Sequence, residues 1–142
     1  MNRMTLTISG LIILAFSSVA LSAGLPREPH EQAAFNEGCD KNQTNLNICS
    51  YYDFKVLDAE LNDLYRQQLA RLKGAHKQRF VRAQRAWLAY VEAACLFLNG
   101  PREESGTIWP LEQNLCNSDY FTTRIKLFKS LLECGQSRCS GE

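Results

Sequence analysis

The residues of this chain that are best suited to chemistry are its cysteines, and their pattern favours oxidation to disulfides. The six cysteines lie at positions 39, 49, 95, 116, 134 and 139. An even number in an exported chain is typical of a disulfide framework. Zinc binding is the alternative, but no CxxC pair occurs, and His30 and His76 lie far from the cysteines in sequence. We therefore expect three disulfides and no metal site.

Export is predicted by residues 1–23. Arg3 is followed by an apolar run over 5–21 without a charged residue, and small residues then end at Ala23. This pattern is typical of a cleaved secretory signal peptide. The run is shorter than the roughly 20 residues that span a bilayer. We expect a periplasmic or secreted protein with no transmembrane segment in the mature chain.

The clearest helical pattern lies in residues 80–95. One face carries residues that recur in steps of three or four, namely Phe80, Gln84, Trp87, Val91 and Cys95. An amphipathic helix cannot bury such a face alone. Residues 46–73 and 108–133 show similar periodicity and are its expected partners.

Turn signals separate these three segments. The first long helix is expected to begin after Thr44 or Asn45 and to end with Gly74 as its C-terminal cap. The second restarts at once, so the two form a hairpin. Pro110 suits the first turn of a third helix, in which Ser118 or Thr122 could mark a break. The prediction is an all-α fold: a small three-helix bundle, made of a long antiparallel helical hairpin plus a third helix, stapled by disulfides.

The domain organisation follows from these elements. After the signal peptide we expect a flexible N-terminal arm over 24–38, with a short helical turn at 31–36. The helical domain covers 39–133. A C-terminal tail, 134–142, is closed by a local disulfide between Cys134 and Cys139.

The hairpin geometry places the other four cysteines at one end of the bundle. Cys49 lies 25 residues before Gly74 and Cys95 lies 21 residues after it, so both are distant from the turn. Two pairings remain open: Cys39 with Cys49 and Cys95 with Cys116, or a crossed arrangement.

Charge is unevenly distributed along the chain. Without Arg3, 15 of the 16 basic residues remain against 15 acidic residues. Seven bases and no acid lie in residues 66–85, at the hairpin turn, whereas acids predominate at the other end. The turn is therefore a candidate for binding anionic envelope lipid, and a solvated face is the alternative. Nucleic acid is disfavoured as a partner because the chain is expected to be exported and its bases are not regularly interleaved with aromatic residues. The candidate residues are Arg71, Lys73, Lys77, Arg79 and Arg82.

No catalytic constellation is found. His30 and His76 have no evident nucleophile or carboxylate partner, and GxSxG, Gly-rich phosphate loops and HExxH are missing from the sequence. We predict a protein that is not an enzyme and uses no cofactor. The candidate partner-binding residues lie in and beside the exposed loop REESGT, and they are Glu103, Glu104, Ser105 and Trp109. For Trp109 the alternative is closure of the bundle end, and Asn62 is interpreted as a buried polar residue between helices.

Two motifs at a characteristic distance carry a family resemblance. DAELNDLY contributes Asp58, Leu61, Asn62 and Tyr65, and AQRAWLAYVEAAC contributes Ala83, Gln84, Trp87, Tyr90 and Cys95. Cys39 and Cys49 precede them, and Gly106, Cys116 and Arg124 follow. Over residues 39–132 the chain resembles the lysozyme inhibitor LprI-like N-terminal domain family. It departs at Val91 and Glu92, where relatives commonly have Arg-Asp.

The resemblance implies that the protein binds and inhibits lysozyme in the cell envelope and so protects peptidoglycan. Host-defence lysozymes are typically basic, and an acidic loop at one end of the bundle would complement a cationic cleft. The sequence does not specify an oligomeric state.

Overall fold

The computed structural model describes residues 24–134. The predicted signal peptide and the predicted Cys134–Cys139 bridge lie outside the described residues, the latter because Cys139 does. The helices are α1 (Pro29–Glu37), α2 (Gln43–Arg71), α3 (Gly74–Asn99), α4 (Arg102–Ser105) and α5 (Trp109–Glu133), with a single 3₁₀ turn, Gly106–Ile108, before α5. Within residues 24–134 there is no β-strand.

The bundle is formed by the three long helices α2, α3 and α5, which confirms the all-α prediction. α3 runs antiparallel to the other two, and the most extensive helix contact joins α2 to α5. The helical face of α3 that was predicted to be buried does face the core. Its residues Gln84, Val91 and Cys95 are buried, and Phe80 and Trp87 are partly buried. The buried residues of the core cluster are Leu61, Leu64, Val91, Cys95, Phe121, Ile125 and Phe128.

The first long helix begins earlier than predicted. Its N-cap is Asn42, whose side-chain oxygen accepts a hydrogen bond from the Asn45 backbone N–H at 2.9 Å. The prediction that Thr44 or Asn45 would cap the helix was therefore wrong. The side chain of Asn45 instead donates to the Gly38 carbonyl at 3.1 Å, which ties α2 to the end of α1.

Gly74 belongs to α3 and does not cap α2. The C-cap of α2 is Leu72, in extended conformation, and Gly74 is the first residue of α3, with a φ of +51° that favours glycine. At the start of α5, Pro110 lies in the first turn as predicted. The helix then continues without a break at Ser118 or Thr122.

The N-terminal arm contains more structure than the short turn that we expected. α1 packs against α2, where the Phe35 and Tyr52 rings meet edge to face with centroids 5.3 Å apart. The Tyr52 hydroxyl donates to the Leu25 carbonyl at 2.6 Å, and the Arg27 guanidinium lies 3.9 Å from the Phe35 ring centroid. These contacts hold the chain before and within α1 on the bundle.

A buried ion pair adds to this attachment. The Glu31 side chain is 1% exposed, and its carboxylate pairs with Lys55 of α2 while accepting the Glu28 backbone N–H at 2.9 Å. The hydrogen bond from Lys55 lowers the pKa of Glu31 below its usual value, and the Glu28 N–H acts in the same direction. The carboxylate form is therefore stabilised only in the folded state.

We expect α1 to detach in acid. The pKa of Glu31 is lower in the folded protein than in the unfolded protein. Its contribution to the attachment is therefore fully present above the pKa of the unfolded state, and it is lost as the pH falls through the pKa of the folded state. Amide hydrogen exchange of residues 29–37 should thus show protection that fades below about pH 4. Glu31→Gln should reduce the protection already at neutral pH, and Asp40→Asn, an exposed control, should behave as the parent. An unchanged acid profile in Glu31→Gln would contradict this assignment.

Candidate functional site

Two disulfides define one end of the bundle, which we call the cysteine end. Cys39 bonds to Cys49 and Cys95 bonds to Cys116, so the first of the two predicted arrangements is correct. Because the second bridge closes the chain between α3 and α5, it holds both ends of the segment that contains α4.

The segment between α3 and α5 is largely exposed, as predicted for the loop REESGT, but it contains the short helix α4. Gly100 and Gly106, on either side of α4, have φ values of +69° and +68°. The Ser105 hydroxyl lies 2.8 Å from the Asn99 carbonyl oxygen and 2.9 Å from that of Pro101. Ser105 therefore shapes this segment.

Trp109 has a similar structural contact. It is partly buried, and its indole Nε1–H donates to the Gly100 carbonyl at 3.0 Å. The Arg102 guanidinium lies 5.8 Å from the ring centroid. Trp109 thus joins the start of α5 to the end of α3, and only part of its ring remains accessible.

Glu103 and Glu104 lie in α4 next to Arg102, which is exposed as well, and we call the two glutamates the acidic corner. Both side chains are exposed, and neither forms an ion pair within the described residues. Both residues lie in the first turn of α4, a short helix whose last residue, Ser105, is hydrogen-bonded to the Pro101 carbonyl oxygen. The structure thus leaves these two predicted site residues free for a partner.

An exposed apolar surface, which the sequence analysis missed, precedes the acidic corner. It consists of the last turn of α3, and we call Leu96, Phe97 and Leu98 the apolar ridge. All three are exposed, and Phe97 is 86% exposed. Glu103 follows Leu98 by five residues, so the chain allows at most about 18 Å between their Cα atoms. Three consecutive residues of a helix point in different directions, so they cannot all face the core of the bundle. The run of three apolar residues could therefore have predicted an exposed apolar surface from the sequence.

Shallow grooves also lie at the cysteine end. One, of about 520 Å³, lies between the first turn of α2 and the 3₁₀ turn and is lined by Gln43, Thr44, Asn47, Arg102 and Thr107, among others. The other, of about 320 Å³, is lined by Leu98, Cys116, Asp119, Tyr120 and Thr123. The cysteine end therefore offers concave surfaces in addition to its exposed charges.

The predicted anionic-surface residues lie at the opposite end of the bundle. Arg71 is engaged there, because its Nη1 donates to the Leu132 carbonyl of α5 at 2.7 Å. The other predicted bases, together with Arg85, are exposed and form no ion pair within residues 24–134. We call this set the basic surface, and it comprises Lys73, Lys77, Arg79, Arg82 and Arg85.

The motif residues behind the family resemblance meet inside the bundle. The buried Gln84 side-chain oxygen accepts a hydrogen bond from Arg124 Nε at 3.0 Å. The Arg124 guanidinium lies 5.2 Å from the Trp87 ring centroid and 4.8 Å from that of Phe128, and burial lowers its pKa. Arginine stays charged despite such a shift, so this contact joins α3 to α5 as a cation packed on aromatic rings.

Asn62, which belongs to the motif DAELNDLY, is not buried as the sequence analysis predicted. Asn62 is exposed, so its interpretation as a buried polar residue was wrong. A buried asparagine that joins α2 to α5 is Asn114, whose Nδ2 donates to the Ser50 hydroxyl at 3.1 Å. Tyr90 and Tyr120 contact each other edge to face, and hydrogen bonding of the neutral Tyr120 hydroxyl to Tyr90 raises the pKa of Tyr120.

Residues 24–134 contain no cluster of three or more His, Cys, Asp or Glu residues with the geometry to hold a metal ion. None of the helices in this part of the chain is both long and apolar enough to cross a membrane.

Comparison with known proteins supports the resemblance seen in the sequence. A family model described as lysozyme inhibitor LprI matches residues 36–127, which is more than half of the chain. An uncharacterized protein from Rhizobium meliloti (strain 1021) is 29% identical over 108 residues, covering 67% of this chain and 77% of that protein. No solved structure gives a significant match.

Proposed function

The chain belongs to the lysozyme inhibitor LprI family, and from this premise we propose that it binds lysozyme through its cysteine end and thereby protects the cell wall. The observation that supports this surface most directly is that the acidic corner, which forms no ion pair among the described residues, lies within a few residues of the exposed apolar ridge. The same end carries the predicted site residues Ser105 and Trp109. Their side chains donate hydrogen bonds to the Asn99 and Gly100 carbonyls, next to the acidic corner in the chain.

The chemistry of this surface matches what a basic enzyme requires of an inhibitor. Binding energy in protein interfaces is concentrated in a few buried anchors, with aromatic residues enriched, and charged residues lie mainly at the rim. Phe97 is the natural anchor, because it is the most exposed of the large apolar residues described. Glu103 and Glu104 supply the negative rim, which steers a cationic partner and fixes its orientation.

Preorganisation favours the same surface. The Cys95–Cys116 disulfide and the hydrogen bonds of Ser105 and Trp109 hold the backbone of α4 before any partner arrives. A segment that is already ordered loses less conformational entropy on binding. The acidic corner therefore fits a binding element better than an open loop of the same composition would.

We also propose that the protein acts outside the cytoplasm, in the periplasm or as a secreted protein, and that it is not an enzyme. Two disulfides in a small helical bundle are consistent with an oxidising compartment. A signal peptide over residues 1–23 remains our prediction for the route of export.

The direct test is a lytic assay on bacterial cell walls with the purified, oxidised mature protein. An animal-type and a goose-type lysozyme should be compared, each titrated with the protein up to micromolar concentration. Saturable inhibition of either enzyme is the expected result. Full lytic activity of both enzymes at the highest concentration would contradict the proposal.

The apolar ridge is tested by Phe97→Ser. Because burying a phenylalanine side chain is worth about 1.5–3 kcal/mol, we expect inhibition to weaken at least about tenfold. Thermal stability should change little, since Phe97 is 86% exposed in the free protein. The control is Leu127→Ser, which removes an apolar side chain that is 44% exposed on α5, toward the other end. Equal inhibition by the two variants would place the lysozyme contact elsewhere.

A further inference from the structure

We propose that the basic surface, at the end opposite the acidic corner, docks the protein on an anionic lipid bilayer. This inference goes beyond lysozyme binding and does not depend on it. It rests on the five exposed bases Lys73, Lys77, Arg79, Arg82 and Arg85 and on what surrounds them.

These bases are unneutralised and extended along one helix. None has an ion-pair, hydrogen-bond or aromatic partner for its side chain among the described residues. Arg79, Arg82 and Arg85 follow each other in steps of three, so they form one strip on the outer side of α3. The whole basic surface, from residue 73 to residue 85, extends about 18 Å along the helix axis at 1.5 Å per residue.

The acidic residues of α2 toward this end are already paired with other bases. Asp63 binds Arg66 at 3.2 Å, and Glu60 binds Lys129 of α5 at 2.6 Å. The exposed Lys126 adds one further positive charge on α5, and the exposed Glu133 offsets one. The surface thus keeps an excess of positive charge.

The shape of this surface favours a bilayer over a nucleic acid. Single-stranded nucleic acids are bound by exposed aromatic residues on which bases stack. The aromatic residue among these bases, Phe80, is instead turned inward, with its ring 5.3 Å from that of Tyr65 and 5.4 Å from that of Phe128. A convex helix face with long basic side chains matches an anionic membrane, which attracts several bases without requiring a groove.

The test is sedimentation with lipid vesicles at about 0.1 M salt. The mature protein is mixed with vesicles of equal parts phosphatidylglycerol and phosphatidylcholine, or with vesicles of phosphatidylcholine alone. Binding to the anionic vesicles alone is expected. Arg79→Gln with Arg82→Gln should weaken it about 25-fold, at about fivefold for each base lost near the surface. Glutamine preserves the helix because its propensity is close to that of arginine.

A matched control separates a local surface from the effect of net charge. Lys41→Glu changes the net charge by the same two units at an exposed position of the cysteine end. This variant should bind vesicles within about twofold of the parent protein. The reason is that charges beyond a Debye length of about 10 Å at 0.1 M salt are largely screened. Equal losses in the two variants would overturn the proposal. So would equal binding to both vesicle types, no binding to either, or binding to a DNA oligonucleotide without binding to vesicles. The Arg79→Gln with Arg82→Gln variant should retain lysozyme inhibition, so this test and that of the proposed function fail independently.

Discussion

Reversing both charges of the acidic corner, Glu103→Lys with Glu104→Lys, is expected to weaken lysozyme inhibition by about 100-fold or more. The change replaces two attractions to a cationic enzyme with two repulsions, and like charges facing each other across an interface cost several kcal/mol. A 100-fold loss corresponds to about 2.7 kcal/mol. Both side chains are exposed and unpaired in the described structure, so the fold should be retained.

The position of the charges, and not their sum, should account for this loss. Glu133→Lys reverses one exposed charge at the opposite end of the bundle, and it serves as the control for each single reversal at the corner. We expect Glu103→Lys and Glu104→Lys each to exceed this control by at least about fivefold in the inhibitor concentration that halves lysis. Equal effects in all three would show that net charge alone governs the interaction.

Salt provides an independent check on the same surface. Attraction between exposed charges fades as the Debye length shortens from about 10 Å at 0.1 M salt to about 3 Å at 1 M. Inhibition by the parent protein should therefore weaken with added salt. The doubly reversed variant should be less sensitive, or should improve, because its repulsion is screened as well.

The fold could be predicted from the sequence wherever helical periodicity determines burial. The α3 stripe faces the core at Gln84, Val91 and Cys95, because apolar residues spaced by three and four must share one face. The clustering of four cysteines at one end followed in the same way from helix length. Their pairing did not, since two arrangements satisfied that geometry and only the packing of α3 on α5 distinguishes them.

The misassigned residues depend on contacts between distant parts of the chain. Asn62 and Asn114 both lie in amphipathic helices, but only Asn114 meets a hydroxyl group across the interface, that of Ser50. The same reasoning applies to α1, whose attachment depends on Lys55 of α2 reaching Glu31. Neither contact leaves a local signal in the sequence.

The family motif identifies the fold more directly than it identifies the site. Gln84, Trp87 and Arg124 contact one another between α3 and α5, where they stabilise the bundle. The acidic corner and the apolar ridge lie outside that contact, at the surface. The motif residues thus specify the scaffold on which the proposed lysozyme-binding surface is presented.

Removing the Cys95–Cys116 disulfide is expected to destabilise the protein and to weaken inhibition together. The bridge closes a loop with a sequence separation of 21, and Cys95 is fully buried. Loop-closure entropy gives a loss of about 3.3 kcal/mol for Cys95→Ser with Cys116→Ser. In a domain of this size that should lower the melting temperature by about 10–15 °C, measured by circular dichroism.

Removing the Cys39–Cys49 disulfide is the control that distinguishes an effect on stability from an effect on binding. Cys39 and Cys49 close a loop with a separation of 10, so their replacement by serine should cost about 2.7 kcal/mol, nearly as much. That loop contains neither the acidic corner nor the apolar ridge, whereas both lie between Cys95 and Cys116. Assayed well below both melting temperatures, the Cys95 and Cys116 variant should therefore inhibit lysozyme less well than the Cys39 and Cys49 variant. Equal inhibition would mean that the bridge stabilises the bundle without organising the binding surface, and the preorganisation argument would then be wrong.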